Sequence, residues 1–278
     1  MQDRVAQDSG TTATDEDQPV LVAKDGAVAL LTLNRPKPRN ALSLSMIAAL
    51  TDAVANVSED RSISAVILAA NGPGFCAGHD LKEMTARRGD EDRGRAFFEE
   101  TMHACATMMQ SIVRSPKPFI AAVHGIATAA GCQLVATCDL AVASTEAQFA
   151  TPGVNIGLFC STPMIALSRN VSRKQAMEML LLGDMLSAEE AKTHGLVNRV
   201  TEPADLMSEA RSLADQIASK SPLTVAIGKE AFYNQLEMPL SEAYDYAAGV
   251  MVKNMLARDA EEGIGAFIEK RAPVWTGE

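Results

Sequence analysis

The residues best placed for chemistry are small ones. Between Pro118 and Ser144 the chain reads PFIAAVHGIATAAGCQLVATCDLAVAS. An apolar, β-branched run, Phe119 to Val123, breaks at Gly125. Five small residues, Ala127 to Gly131, then lead into a helix-like run, Cys132 to Thr137, and a second strand follows at Leu140 to Ser144. Small side chains where a strand hands over to a helix let a ligand approach the backbone. The N–H groups of the first helical turn lack intrahelical partners and point at that ligand. Such a place can hold an oxygen that becomes negative. Tight strand–helix packing alone would call for the same small residues.

A second stretch repeats the form. Ser64 to Ala70, SAVILAA, predicts a buried strand, and Asn71-Gly72-Pro73-Gly74 predicts a loop. Phe75 to Met84, FCAGHDLKEM, again sets small residues before a helix start.

The elements that must position these stretches are legible nearby. Lys24-Asp25-Gly26 between apolar runs, Val20 to Ala23 and Ala27 to Leu33, predicts a hairpin. Ser43 or Ser45 caps a helix with Ile47, Leu50, Val54 and Val57 on one face. Arg87 to Arg95 reads as a charged, mobile loop. Phe98, Met102, Cys105, Met109 and Ile112 keep helical spacing up to Pro116 and Pro118. Alternation of this kind implies α/β layering. Ser187 with Glu190 predicts a capping box, and Gly195 a helix stop. Further helices are expected with a face of Leu206, Ala210, Leu213 and Ile217, from Ser221-Pro222, from Ser241 toward Arg258, and from Asp259 with Glu262.

With 278 residues, 47% of them hydrophobic, the chain can form one large domain, or one with an appendage. No apolar run is long enough to span a membrane. A net charge of -10 argues against nucleic acid and anionic membrane surfaces. Any polyanionic ligand then needs local basic clusters, such as Arg35-Pro36-Lys37-Pro38-Arg39 or Lys270-Arg271, unless these are ordinary solvated charge. Met1 to Asp17 is polar and acidic, without a secretory core or an Arg-rich, acid-poor composition, and reads as a disordered tail. The five cysteines, Cys76, Cys105, Cys132, Cys138 and Cys160, show no paired spacing and read as buried thiols. A cytoplasmic protein is the expectation. There is no Gly-x-Ser-x-Gly elbow, no phosphate loop ending in Lys-Ser/Thr and no His/Cys metal spacing.

Taken together, FCAGHDLKEM and GIATAAGCQLVATCDLAVAS resemble the two oxyanion-hole segments of the enoyl-CoA hydratase/isomerase family, the crotonases. LNRPKPRNALSLSM (Leu33 to Met46), FATPGVNIGLF (Phe149 to Phe159) and GAFIEKR (Gly265 to Arg271) match that family in order and spacing. The resemblance implies a spiral of ββα turns over 19–205, after a tail at 1–18, and a C-terminal helical trimerisation region over 206–278. It implies an acyl-CoA substrate in fatty acid metabolism, with coenzyme A arriving as part of the substrate and no cofactor bound covalently. It also implies a homotrimer or dimer of trimers.

By motif matching, the backbone N–H groups of His79 and Ala130 would bind the thioester oxyanion. One such donor typically contributes about 2.7–4 kcal/mol to the transition state. Lys37, Arg39, Ala77, Asp80 and Leu81 match coenzyme-bordering segments, and Phe267 and Lys270 would contribute from a neighbouring subunit. Hydratases of the family use two glutamates, and the matching positions here are Gln133 and Gly153. Gln133 can hydrogen-bond a water but cannot take a proton, and Gly153 has no side chain. Each general acid–base group is worth roughly 10²–10⁴ in rate, so hydratase activity is expected to be weak. Glu99, Glu100, His103 and Cys160 are candidate substitutes, each with a surface or packing role as its alternative. Cys132 with His124 as its base has no support in the spacing. The pattern AAGCQL, TPGVN and GLFCSTP resembles one branch whose members also lack both glutamates. Isomerase, thioesterase or decarboxylase chemistry, and non-catalytic acyl-CoA binding, remain open.

Overall fold

The computed structural model describes residues 18–278, so the acidic segment Met1 to Asp17 lies outside the described residues. Strands alternate between two sheets. The larger runs β1 (Val20–Asp25), β2 (Val28–Leu33), β3 (Ala65–Ala70), β5 (Phe119–Val123), β7 (Leu140–Ser144) and β10 (Arg199–Thr201), in that order. The β1–β2 pair is the hairpin expected at Asp25-Gly26, and the other pairings in this sheet are parallel. The smaller sheet holds β4 (Gly74–Cys76), β6 (Ile126–Thr128), β8 (Gln148–Ala150) and β9 (Leu186–Ser187).

This arrangement is the spiral. Each of β3, β5 and β7 is followed within a few residues by a short strand of the second sheet. After β4 comes α2 (Leu81–Ala86), and after β6 comes α4 (Ala130–Thr137). The fold is α/β, of the ββα spiral type that the sequence implies.

The main core lies between the larger sheet and α1 (Leu44–Glu59), α3 (Arg95–Arg114) and α4. Phe75, Phe119, Phe149, Leu50 and Met108 are fully buried in it. Ser43, not Ser45, caps α1, accepting the Met46 N–H. The other face of the sheet is covered by α8 (Leu206–Ala218) through Leu206, Ala210, Leu213 and Ala214. The Ser187–Glu190 capping box forms, and its helix, α7 (Ala188–His194), stops at Gly195.

Beyond α8 lie α9 (Pro222–Gln235), α10 (Leu240–Met255) and α11 (Arg258–Glu269). One buried polar knot docks α9. Lys229 Nζ donates to the Ile112 carbonyl at 3.0 Å, the Lys117 carbonyl at 2.8 Å and Asp139 Oδ2 at 2.8 Å. Asp139 also accepts the Tyr233 hydroxyl at 2.9 Å and the Phe119 N–H at 2.7 Å.

Two local expectations fail for physical reasons, and one boundary shifts. Arg87 to Arg95 is not free loop. Arg87–Gly89 forms a 3₁₀ turn, and the Arg87 and Arg88 guanidinium groups lie over the Phe97 and Phe98 rings, at 5.1 and 5.5 Å. The long helix expected from Ser241 forms as α10, with its start one residue earlier at Leu240. Asp259 does not cap α11, whose N-cap is Ala257. Its buried carboxylate accepts instead from Ser221 Oγ (2.6 Å) and from the N–H groups of Thr276 (2.7 Å) and Gly277 (3.0 Å). A long-range polar partner outcompetes the local cap.

Candidate active site

Two strand-to-helix crossings meet backbone against backbone. Strands β4 and β6 are parallel neighbours, which brings Cys76-Ala77-Gly78 alongside Thr128-Ala129-Ala130. Thr128 Oγ1 donates to the Ala77 carbonyl at 3.2 Å. A β-carbon on Gly131 would run into the Cys76 carbonyl, and one on Gly78 would stand 3.0 Å from Ala129 Cβ and 3.3 Å from Ala130 N. Only glycine permits this approach, and Gly78 also sits at φ +90°. Ala129 adopts φ 51°, ψ -117°, a conformation that costs a non-glycine residue about 1–3 kcal/mol.

The segment after β2 holds these crossings from outside. Leu42 N–H donates to the Gly78 carbonyl at 2.8 Å, Asp80 N–H to the Leu42 carbonyl at 3.1 Å, and Ala77 N–H to the Arg39 carbonyl at 3.0 Å. Asn40, fully buried and at φ 54°, is the keystone. Its amide donates to the Asn71 (2.9 Å) and Gly74 (3.0 Å) carbonyls, and its Oδ1 accepts the Arg35 N–H at 2.8 Å. Sequence reasoning passed over Asn40, although asparagine is a residue that tolerates positive φ.

This pattern leaves two donors over. The bridge between Leu42 and His79 uses the Gly78 carbonyl and the Asp80 N–H, not the His79 N–H. Ala129 N–H goes to the Ala150 carbonyl at 2.9 Å, and Ala129 O takes the Gln133 N–H at 3.0 Å, so the Ala130 N–H opens α4 without a backbone acceptor. Among the described residues, neither the His79 N–H nor the Ala130 N–H has a backbone acceptor.

Residues 23–278 match the family model for enoyl-CoA hydratase/isomerase. The chain belongs to that family. It is 46% identical to the rat mitochondrial enoyl-CoA hydratase domain-containing protein 3 over 271 residues, 96% of this chain and 88% of the relative. The human protein of the same name is 46% identical over 263 residues, 95% and 85% of the two chains. This is the branch that the AAGCQL pattern resembles. Among solved structures, an enoyl-CoA hydratase from Mycobacterium smegmatis superposes with a TM-score of 0.89 at 51% identity, covering 92% of this chain and 98% of that one. Human enoyl-CoA hydratase domain-containing protein 3 gives a TM-score of 0.88 at 46% identity, covering 92% and 100%. The rat, human and mouse relatives are all named mitochondrial. Those names overturn the cytoplasmic expectation, which rested on composition alone.

The enoyl-CoA hydratase/isomerase positions fall as follows. Gln133 lies on α4 with 6% of its surface exposed, and its Oε1 has no protein partner. Thr137, one turn on, donates to the Gln133 carbonyl at 2.8 Å and touches Met109 Sδ at 3.5 Å, so this face of α4 looks toward α3. Gly153 is buried in the turn after β8, and the space where its side chain would project is filled. A β-carbon there would stand 2.9 Å from Cys160 Sγ and 2.9 Å from the Leu158 carbonyl. Thr151, which sequence reasoning did not single out, is fully buried with an unpartnered Oγ1.

The His79 Nε2 is also buried and unpartnered, and burial lowers its pKa, keeping the imidazole neutral. Glu99, Glu100 and His103 are exposed on α3, with Glu99 paired to Arg95 at 2.9 Å, so the structure does not turn them inward as bases. Burial pushes the Cys132 thiol up to about 12 and raises that of Cys160. His124 Nε2 is engaged with the Gly72 carbonyl at 2.8 Å, away from any role with Cys132. All five cysteines are free and buried.

Among the coenzyme candidates, Lys37 and Arg39 are exposed beside the crossings, and Leu81 is half-exposed at the start of α2. The Asp80 carboxylate is engaged, accepting from Lys82 and Glu83 N–H as the N-cap of α2 and standing 3.7 Å from Arg35. Phe267, 84% exposed, and Lys270 project from the end of α11. Among the described residues no helix is long and apolar enough to cross a membrane.

Proposed function

We propose that this protein binds acyl-CoA thioesters and stabilises the thioester enolate through the backbone N–H groups of His79 and Ala130. The observation that carries the reading is the pair of unspent donors at the β4–β6 crossing, in a chain of the enoyl-CoA hydratase/isomerase family. As the α-carbon loses a proton or gains a nucleophile at its neighbour, charge gathers on the thioester oxygen. Two preorganised donors in a water-poor site stabilise that charge more than the ground-state carbonyl. Lys37 and Arg39, both exposed, would meet the coenzyme's phosphates. Phe267 and Lys270 would reach the coenzyme of a neighbouring subunit in a homotrimer or a dimer of trimers, and the exposed apolar residues Leu240, Tyr244, Met251 and Leu256 of the C-terminal helices are consistent with such contacts.

Hydration is weak in this reading, because Gln133 and Gly153 supply neither acid nor base. A second reading, acyl-CoA binding without turnover, is favoured by the filled space at Gly153. The deciding experiment is crotonyl-CoA hydration by the full chain, with acyl-CoA binding followed by calorimetry. Binding with slow or absent hydration is expected. Absence of binding overturns the thioester assignment, and hydration at ordinary enzyme rates overturns the argument from the missing carboxylates.

A further inference from the structure

The His79 N–H owes its direction to a single neighbour. Leu42 N–H donates to the Gly78 carbonyl at 2.8 Å, and the Leu42 carbonyl accepts the Asp80 N–H at 3.1 Å. This is a one-residue parallel bridge between Leu42 and His79. Along an extended chain, backbone polar groups alternate sides. With the Gly78 carbonyl and the Asp80 N–H both turned toward Leu42, the His79 N–H faces the other way. Whatever fixes Leu42 therefore aims that donor.

Asn40, two residues earlier, is held at every polar group. Its N–H donates to the Arg35 carbonyl at 2.9 Å, and its Oδ1 accepts the Arg35 N–H at 2.8 Å. Its side-chain amide donates to the Asn71 and Gly74 carbonyls at 2.9 and 3.0 Å, and its own carbonyl accepts the Cys76 thiol at 3.2 Å. Asn71, Gly74 and Cys76 belong to β4 or the loop before it, the segment that delivers Ala77, Gly78 and His79. The Arg39 carbonyl adds the Ala77 N–H at 3.0 Å. Residues 39–42 thus run beside 74–80, and Asn40 fixes the register between them. We infer that Asn40 is the positioning residue for the His79 N–H. Fully buried, it acts through β4 and Leu42 rather than on a substrate atom. The inference rests on the thioester reading above. Arg39 and Asn40 stand at φ 52° and 54°, a strained region that persists only where the surroundings over-determine it. Asparagine combines tolerance of that region with two N–H donors and an acceptor. Glycine offers the backbone alone, and ionised aspartate has no side-chain donor.

The test reads carbonyl polarisation directly. The probe is 4-dimethylaminocinnamoyl-CoA, a push–pull thioester whose absorption moves to longer wavelength as its carbonyl is polarised. Bound at saturation to the unaltered full chain, it should absorb at longer wavelength than in water. Asn40→Gly keeps the backbone angle and removes the clasp, and Asn40→Asp keeps the acceptor for Arg35 but not the two donors. Each should lose most of the shift at saturation, where weaker binding no longer matters. Lys229→Met, a destabilising change on α9, leaves the crossing intact and should keep the shift. A full shift in a folded Asn40→Gly protein overturns the inference and leaves the thioester reading standing. Absence of a shift in the unaltered protein overturns both. If neither Asn40 variant folds, amide exchange in the unaltered protein decides. Leu42, Ala77 and Asp80 N–H should then open slowly and together, and independent opening of Leu42 and Ala77 overturns the inference.

Discussion

Restoring one carboxylate should restore hydration, and restoring the other should not. Gln133→Glu replaces an amide by a nearly isosteric acid on a rigid helix, so packing is conserved. At 6% exposure the new carboxyl is desolvated, which raises its pKa toward the range where general acid–base catalysis works. One such group is worth roughly 10²–10⁴ in rate, or about 2.7–5.5 kcal/mol of barrier. Gly153→Glu meets a different environment. Its β-carbon would stand 2.9 Å from Cys160 Sγ and 2.9 Å from the Leu158 carbonyl. The sulfur can swing aside, but the carbonyl belongs to a turn closed by the Leu158 N–H on the Gly153 carbonyl at 2.9 Å. Overpacking of this kind costs about 1–3 kcal/mol. In a crotonyl-CoA assay following loss of the enoyl absorbance, Gln133→Glu should therefore gain about two orders of magnitude in kcat/KM. Gly153→Glu should gain nothing and unfold at lower urea, and the double variant should not exceed the single. A Gln133→Glu protein that folds, binds acyl-CoA and shows no gain would refute the placement of the thioester against Ala130. A Gly153→Glu protein as stable as its parent and faster than it would refute the filled-space argument.

Other outcomes follow from the same structure. Ala129→Gly should relieve the backbone strain at φ 51° and raise the urea midpoint, because a strain of about 1–3 kcal/mol exceeds the added chain entropy of about 0.4–1 kcal/mol; a lowered midpoint would contradict this. Lys229→Met leaves the largely buried Asp139 carboxylate without its cation and should cost about 3–5 kcal/mol in denaturant unfolding, with Lys229→Met/Asp139→Asn recovering part of the loss; a loss within error of zero would show that α9 docks by apolar packing alone. At acid pH the C-terminal strap should release. The Arg271 guanidinium, bidentate on Glu262, and the Val274 N–H hold that carboxyl down from 4.5 to about 2. Its folded pKa lies below the unfolded one, so its contribution is complete above about 4.5 and is lost as pH falls toward 2. Trp275, the single tryptophan, donates to the Ser219 carbonyl at 2.9 Å beside this strap, so its fluorescence should report release in that window, and a change centred near neutrality would contradict the assignment.

Much of this was legible in the chain itself. The strands at Phe119, Leu140 and Val66, the caps at Ser43, Ser187 and Ser221, and the stop at Gly195 follow from local rules of periodicity, capping and breaking, and they form where those rules place them. What escaped was set by distant partners. Asp259 looks like a helix start, but the returning C-terminus claims its carboxylate. Arg87 to Arg95 looks like solvated loop, but two aromatic rings on the next helix receive its arginines. Asn40 carries little local signal of its importance, since its role arises only when the Asn71 and Gly74 carbonyls, far along the chain, arrive beside it.

The two halves of the candidate site differ in how they respond to substitution. Its donors are backbone groups, fixed by the approach of Gly78 to Ala130 and of Gly131 to Cys76, so side-chain identity at His79 and Ala130 can drift without moving an N–H. The acid–base half depends wholly on side chains, and there the chain has an amide and a glycine. At Gly153 the change is not a simple deletion, because Cys160 and the Leu158 carbonyl now occupy the direction a side chain would take. At Gln133 the change is only from charge to dipole, and the amide keeps its place. On the function proposed above, backbone donors beside one closed position and one neutral amide would hold a thioester more readily than move protons to and from water.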